Sequence, residues 1–285
     1  MMGAMDPQAY RADSRDRWER IAPGWGTARA ALQHAAAPVS RWLLDAIDPQ
    51  PGDTVLELAA GAGDTGLMAA ERVAPSGRAI ITDGAEAMVE LARERARELR
   101  IDNVEIRPME AEWIDLSAAS VDGVVCRWGY MLLADPEAAL RETRRVLRPG
   151  ARVALAAWDA PEHNPWMTVP GRELVRRGLT EPPDPQAPGP FAFADPGHIQ
   201  ELLLSAGFHD VEVDTVALVF EAADLDAWWD FVVRTSPRVS AAIDGLSPAD
   251  HYGLRDDVDT ALSAFVNADG SVRLPGRTLV STASA

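Results

Sequence analysis

Val55-Leu56-Glu57-Leu58-Ala59-Ala60-Gly61-Ala62-Gly63-Asp64-Thr65-Gly66 begins as a short apolar run and passes through three glycines into a helical pattern. Pro51-Gly52-Asp53 turns the chain into this run, so 54–58 reads as the first core strand. Asp83 closes the next apolar run, twenty positions past Gly63. Strand, glycine loop, helix, strand and terminal acid is the order in which parallel sheets take up a nucleoside. Glycine allows the tight turn and the close approach of backbone to ligand, and the helix N-terminus aims its amides there. A closely packed strand-to-helix turn would give the same letters, so the loop is read with its surroundings.

Outward from this stretch the pattern alternates. Helices are expected at 65–73, 85–99 and 136–147, and strands at 78–82, 104–108, 123–127 and 152–158. Such alternation implies a parallel sheet covered on both faces and joined by right-handed crossovers. Upstream, charged and aromatic residues recur at helical spacing over 10–44, broken by Pro23-Gly24-Trp25-Gly26, which predicts two or three cap helices. Downstream, a proline-rich excursion (Pro182-Pro183, Pro188 to Pro190) leads to a helix at 195–205 and a strand at 211–219. A helical insert with Trp228, Trp229, Phe231 and Phe265 precedes a last strand near 277–281. The fold expected is α/β: a Rossmann-like doubly wound sheet, mostly parallel with an antiparallel last strand, plus the helical cap and the insert. It forms a single domain, with the cap at 10–48, the core at 51–223 and 272–285, and the insert at 224–268.

The chain has 285 residues, 47% of them apolar, and a formal charge of -17. That charge opposes attraction to phosphate, so nucleic-acid partners are not expected. All 27 basic residues are arginine, which excludes Schiff-base lysine chemistry and a P-loop lysine. Cys126 is the single cysteine, so neither an internal disulfide nor a cysteine metal cluster forms, and a cytoplasmic location is expected. No run is long and apolar enough for membrane insertion, and no export signal is read. No metal site is expected.

Charge also distinguishes nucleoside cofactors. Glu57 at the strand end would repel a pyrophosphate, as would Asp64, Glu110 and Glu112, and no arginine lies in the loop to offset them. A cofactor carrying an ammonium and a sulfonium suits this set far better than NAD.

Taken together, E-L-A-A-G-A-G-D-T-G, I-I-T-D-G-A-E-A-M-V-E-L-A, R-P-M-E-A-E and L-R-E-T-R-R-V-L-R-P-G-A-R-V resemble class I S-adenosylmethionine-dependent methyltransferases. The resemblance is closest to the ubiquinone/menaquinone C-methyltransferase-like branch (methyltransferase type 11) and covers roughly Pro51 to Trp158. It implies that Glu57 and the backbone of Ala59, Gly61 and Gly63 hold the methionine moiety. Asp83, with Gly84 beside it, would hold the ribose hydroxyls, and Met88 would pack on adenine. Glu110, Ala111 and Glu112 would address the adenine edge. Ala59 and Ala60 stand where relatives have glycine and often cysteine, and Glu110 where aspartate is commoner. S-adenosylhomocysteine would be the product.

Methyl transfer from a sulfonium needs alignment and desolvation more than catalytic side chains. If the acceptor must lose a proton, His163 after the fifth strand is the candidate base; capping the next helix or facing water are the competing roles. Arg127 contacts the cofactor, an acidic substrate group or a structural partner. Asn164-Pro165-Trp166 resembles the Asn-Pro-Pro-aromatic motif of amino-group methylases, but there the motif follows the fourth strand. Here that place holds Cys126-Arg127-Trp128-Gly129-Tyr130, which disfavours a nucleic-acid or peptide amine. The lone cysteine argues against an arsenite methylase.

Trp25, Trp128, Trp158, Trp166, Phe191 and Phe193 fall in the cap or in loops at the open sheet edge, where aromatic walls suit an apolar acceptor, although each taken singly also fits ordinary packing; Asn164 is a further candidate for substrate contact. The expected function is methyl transfer to carbon or oxygen of a small, largely apolar acceptor (aromatic, polyketide-, quinone- or lipid-like). The alternative is a non-methylating reaction, cyclisation or decarboxylation, on the same cofactor fold. A cofactor-sensing binding protein and an NAD oxidoreductase stand behind these. A homodimer through the insert is left open.

Overall fold

The computed structural model describes residues 6–184 and 187–285. Seven strands form one sheet: β1 (Thr54–Glu57), β2 (Arg78–Asp83), β3 (Val104–Pro108), β4 (Val121–Arg127), β5 (Leu147–Trp158), β6 (His209–Ala222) and β7 (Val272–Ser284). Their order is β3-β2-β1-β4-β5-β7-β6, and β7 alone runs antiparallel, between β5 and β6. The central strands are buried on both faces, as parallel strands under helices must be: Val55, Leu56, Val124 and Val125 are inaccessible. From β1 the chain winds to β2 and β3 on one side and later to β4 and β5 on the other. The crevice above the carboxyl ends of β1 and β4 is therefore the switch point at which such sheets take ligands.

The helices between strands follow their capping signals. α2 (Asp64–Val73) starts from Gly63, whose φ of 77° is the left-handed conformation open to glycine. α3 (Glu86–Leu99) and α4 (Pro136–Val146) complete the crossovers, and the Asp135 carboxylate caps α4 by accepting from the Ala138 amide at 2.8 Å. The strands β5, β6 and β7 are longer than the sequence reading, and α5 (Pro165–Arg176) occupies part of the stretch read as irregular. Of the proline-rich excursion, residues 185–186 lie outside the described residues, as does the opening segment 1–5.

The cap differs most from expectation. In place of two or three helices there is one, α1 (Pro7–Ile47), 41 residues long, with Pro23 and Pro38 inside it. Proline removes a helical hydrogen bond and two glycines weaken the same turn, so the local signal for a break is real. Tertiary contact overrides it. Val39, Leu43 and Leu44 are fully buried, and α7 (Leu225–Thr235) presses so closely on α1 that a Cβ at Gly24 would collide with the Arg234 carbonyl. The Trp25 indole N–H donates to the Thr235 carbonyl at 3.0 Å.

α6 (Pro196–Ser205) packs beside β6, and the insert comprises α7, α8 (Pro237–Ile243) and α9 (Pro248–Leu262). Trp228 and Trp229 are buried within the chain, so these two side chains pack inward and do not themselves present an exposed lid or dimer surface. Among the described residues no helix is long and apolar enough to cross a membrane.

Candidate active site

The loop from Glu57 to Gly66 is fixed from both flanks. Ala59, Gly61 and Gly63 all have positive φ, and the alanine adopts that conformation at a cost of about 1–2 kcal/mol. The Ala60 amide donates to the Thr82 carbonyl at 2.9 Å and the Gly61 amide to the Asp83 carboxylate at 2.8 Å. The other Asp83 oxygen accepts from the Ala85 amide at 2.9 Å. A carboxylate offers about four acceptor positions, so two amide bonds orient Asp83 and leave capacity for hydroxyl donors. Glu57 is only 1% exposed and accepts from the Gly66 amide at 2.7 Å.

The acids share an environment that resists their ionisation. Burial pushes Glu57 up to about 8, against the opposing pull of Arg127 and the Gly66 amide, while Asp64 raises it further. Asp64 itself is raised by burial. Asp83 is raised to about 6, first by burial and then by the neighbouring Glu110 and Glu19 carboxylates. Carboxyl groups held in this way gain most from an added cation or hydroxyl donor. That is the complement of an adenosyl sulfonium amino acid, and the residues therefore fit S-adenosylmethionine.

One consequence is measurable without any ligand. Between the unfolded value of 4.5 and the folded value of about 8, the unfolded chain releases the Glu57 proton while the folded chain keeps it, so stability falls as pH rises through that window. Glu57→Gln retains an acceptor for the Gly66 amide and has no proton to lose. Its melting temperature relative to the parent should rise by several degrees between pH 5 and pH 8. An unchanged difference across that range would remove Glu57 as a buried titrating group.

Beyond β2, Met88 is buried with Ala85, Ile21 and Ala22, with Trp18 and Trp25 packed against them. A Cβ at Gly84 would stand 3.1 Å from Glu110 Oε2. Ala111 and Glu112 are buried. Glu112 is already engaged, by Arg11 and by the Asp135 amide at 2.7 Å, whereas Glu110 is ion-paired with Arg15 at 2.7 Å.

Residues of α1 that the sequence reading did not single out thus dominate this edge. Arg11, Arg15 and Glu19 follow one helical face at i, i+4 spacing. Glu19 accepts from the Glu86 and Ala87 amides at 2.6 and 3.0 Å, and the Trp25 ring lies 3.4 Å from where a Gly61 Cβ would be. The four-residue charge spacing was the available signal; that the helix crosses the carboxyl edge was not legible from it.

Toward β5 the aromatic residues form one ladder. Trp128 stacks on Trp158 at 4.1 Å between centroids, Trp158 meets Trp166 edge-on at 5.2 Å, and Trp166 stacks on Phe220 at 3.8 Å. Trp158 and Phe193 are buried, and Phe193 stands apart, against His198. Asn164 is fully buried, and its side-chain amide donates to the Asp159 and Arg277 carbonyls at 3.0 Å while its oxygen accepts from the Arg277 amide. Its bonding is to backbone, which ties β5 to β7. His163 lies 3.2 Å from Asp159, and Arg277 donates to its ring at 2.6 Å. Arg127 donates to Ser40 Oγ at 3.1 Å and lies over the Trp128 ring.

Comparison with known proteins agrees with this geometry. Residues 55–150 match a methyltransferase domain family. A nocamycin O-methyltransferase of Saccharothrix syringae is 32% identical over 185 residues, covering 61% of this chain and 65% of the relative. A ubiquinone/menaquinone biosynthesis C-methyltransferase of Enterobacter sp. (strain 638) is 31% identical over 122 residues, covering 42% and 49%. The chain thus spans less than two thirds of the length of these curated relatives. The crystal structure of the YcgJ protein from Bacillus subtilis superposes with a TM-score of 0.57 over 86% of this chain and 97% of that one, at 18% identity, a likeness of fold. With the strand order, the glycine loop and the terminal acid of β2 in the places that such a domain requires, residues 55–150 form a methyltransferase domain similar to those of the class I S-adenosylmethionine-dependent methyltransferases.

Proposed function

We propose that this chain transfers the methyl group of S-adenosylmethionine to carbon or oxygen of a small, largely apolar acceptor. The observation that carries the reading is the acid set of buried Glu57 and Asp64 and half-buried Asp83 around a glycine loop that contains no basic residue. It favours a cationic adenosyl ligand and disfavours a pyrophosphate. The relatives include one named for O-methylation and one for C-methylation, so both remain within the proposal.

When bound, the cofactor supplies an activated methyl on a good leaving group. The chain's own contribution is alignment and exclusion of water. Asp83 would orient the ribose, the loop amides and Glu57 the methionyl portion, and Met88 the adenine face. The Trp128, Trp158 and Trp166 ladder supplies apolar surface at the adjoining edge. For a hydroxyl acceptor the proposed base is His163, which stands beside Asp159 and Arg277 at the end of β5.

Calorimetric titration with S-adenosylhomocysteine and NADH tests the cofactor side. Adenosyl binding in the micromolar range, about -8 kcal/mol, with no NADH signal is the expected result. Transfer of labelled methyl to phenolic, quinol or enolic acceptors tests the rest. Acceptor conversion that leaves S-adenosylmethionine unconsumed would replace methyl transfer by a non-methylating reaction.

A further inference from the structure

α3 begins without a capping side chain of its own: its N-cap is Ala85, which offers none. The first amides of a helix have no partner inside it, and here three in succession are taken by two carboxylates. Asp83 Oδ1 accepts from the Ala85 amide at 2.9 Å. Glu19 of α1 accepts from the Glu86 amide through Oε1 at 2.6 Å and from the Ala87 amide through Oε2 at 3.0 Å. Glu19 and Glu86 are 67 positions apart, so this cap is a tertiary contact, supplied from outside the matched domain.

Packing holds the cap in place. Ile21 and Ala22 of α1 are buried with Ala85 and Met88 in an apolar cluster separate from the main core, with Trp18 and Trp25 against it. These neighbours flank Glu19 along the helix and fix its distance from α3. Arg15, one turn earlier, pairs with Glu110 at 2.7 Å. Two carboxylates on adjacent amides repel each other, and the Glu110 and Glu19 charges add to burial in raising Asp83 to about 6. Serine or threonine at position 85 would cap the helix without that repulsion, so stability alone does not account for an acid brought in from α1. What Glu19 adds is a link: the amide that Asp83 holds and the two that Glu19 holds belong to one turn.

We propose that Glu19 is a positioning residue for the ribose acid, capping α3 from α1 so that the Asp83 carboxylate is aimed at the adenosyl ligand. The proposal rests on the reading of Asp83 as the residue that holds the ribose.

The test is a double-mutant cycle on the full chain, with S-adenosylhomocysteine binding measured by calorimetry for the parent, Glu19→Gln, Asp83→Ala and the double variant. Glu19→Gln keeps the side-chain length, loses the charge and can accept from only one amide. It should weaken binding by about tenfold in the parent, the size of one charge-assisted bond, and by no more than about twofold in the Asp83→Ala background. The pH profile is the second readout. The charges facing Asp83 are Glu19 from α1 and Glu110 after β3, the latter paired with Arg15, while Glu86 of α3 is paired with Arg93. Removing the Glu19 charge lowers the pH at which Asp83 takes up a proton, so the decline in affinity on acidification should begin at a lower pH in Glu19→Gln. Glu19→Asp keeps the charge but is one methylene too short to hold both amides. It should weaken binding with the decline where the parent has it, and it replaces Glu19→Gln in the cycle if melting curves show that variant to be unfolded. An equal loss in both backgrounds, no loss in either, or an unmoved profile in Glu19→Gln overturns the proposal and leaves Asp83 at the ribose. If Asp83→Ala binds as the parent does, the ribose reading falls and the proposal with it.

Discussion

Asp83→Ala is expected to weaken S-adenosylhomocysteine binding by a hundredfold or more while leaving a folded chain. Hydrogen bonds to a charged group are worth about 1.5–3 kcal/mol each, and Asp83 has unfilled acceptor capacity for two ribose hydroxyls beyond its bonds to the Gly61 and Ala85 amides. Removing the side chain also frees the Gly61 amide, so the loop that would carry the methionyl portion loses its tie to β2. Asp83→Asn separates the two effects, because its oxygen can still accept from one amide; it should bind more weakly than the parent and more tightly than Asp83→Ala. The carboxyl group is raised to about 6. Parent affinity should therefore fall as pH drops from 7 to 5, and the alanine variant should lose that dependence. Binding by a folded Asp83→Ala within tenfold of the parent, measured by calorimetry, would end the assignment of Asp83 to the ribose.

How much of this was legible in the sequence depended on how local the cause is. The sheet centre was readable because strands covered on both faces must be apolar throughout, as Val124, Val125 and Cys126 are. The glycine loop and Asp83 were readable because their geometry is made by neighbours within about thirty residues. The full lengths of β6 and β7 were not, because their pairing, such as Asp214 opposite Val280, joins residues far apart in sequence and tolerates Pro275 and Gly276 within a strand. The unbroken α1 was missed for the same reason: Pro23 and Gly24 speak for a break locally, and only the approach of Arg234 explains the continuous helix. Arg11, Arg15 and Glu19 reach Glu112, Glu110 and the Glu86 amide only because that helix crosses the sheet edge. Asn164 has a role that local sequence does not show: its side chain bonds the backbone of Asp159, Ala160 and Arg277, residues brought together by the pairing of β5 with β7.

The largest effect on stability is expected at Gly66, whose role follows from distance alone. A Cβ there would stand 2.5 Å from Glu57 Oε2 and 2.6 Å from Ile81 Cγ1, both on buried strands with no room to retreat. Valine would lift the first turn of α2 from the sheet, break the bond from the Gly66 amide to Glu57 and displace the loop with it. Overpacking of this kind costs about 1–3 kcal/mol before the lost hydrogen bond is counted, and in a chain of this size each kcal/mol lowers the melting temperature by about 2–4 °C. Gly66→Val should therefore melt about 6 °C or more below the parent and fail to bind S-adenosylhomocysteine. Gly171 is the internal control. It also lies in a helix, α5, yet a Cβ added there meets nothing within 4 Å, so Gly171→Ala should gain about 0.5–1 kcal/mol from helix propensity and leave binding unchanged. If both substitutions moved the melting temperature in the same direction, close approach at the glycine loop would not be what Gly66 provides.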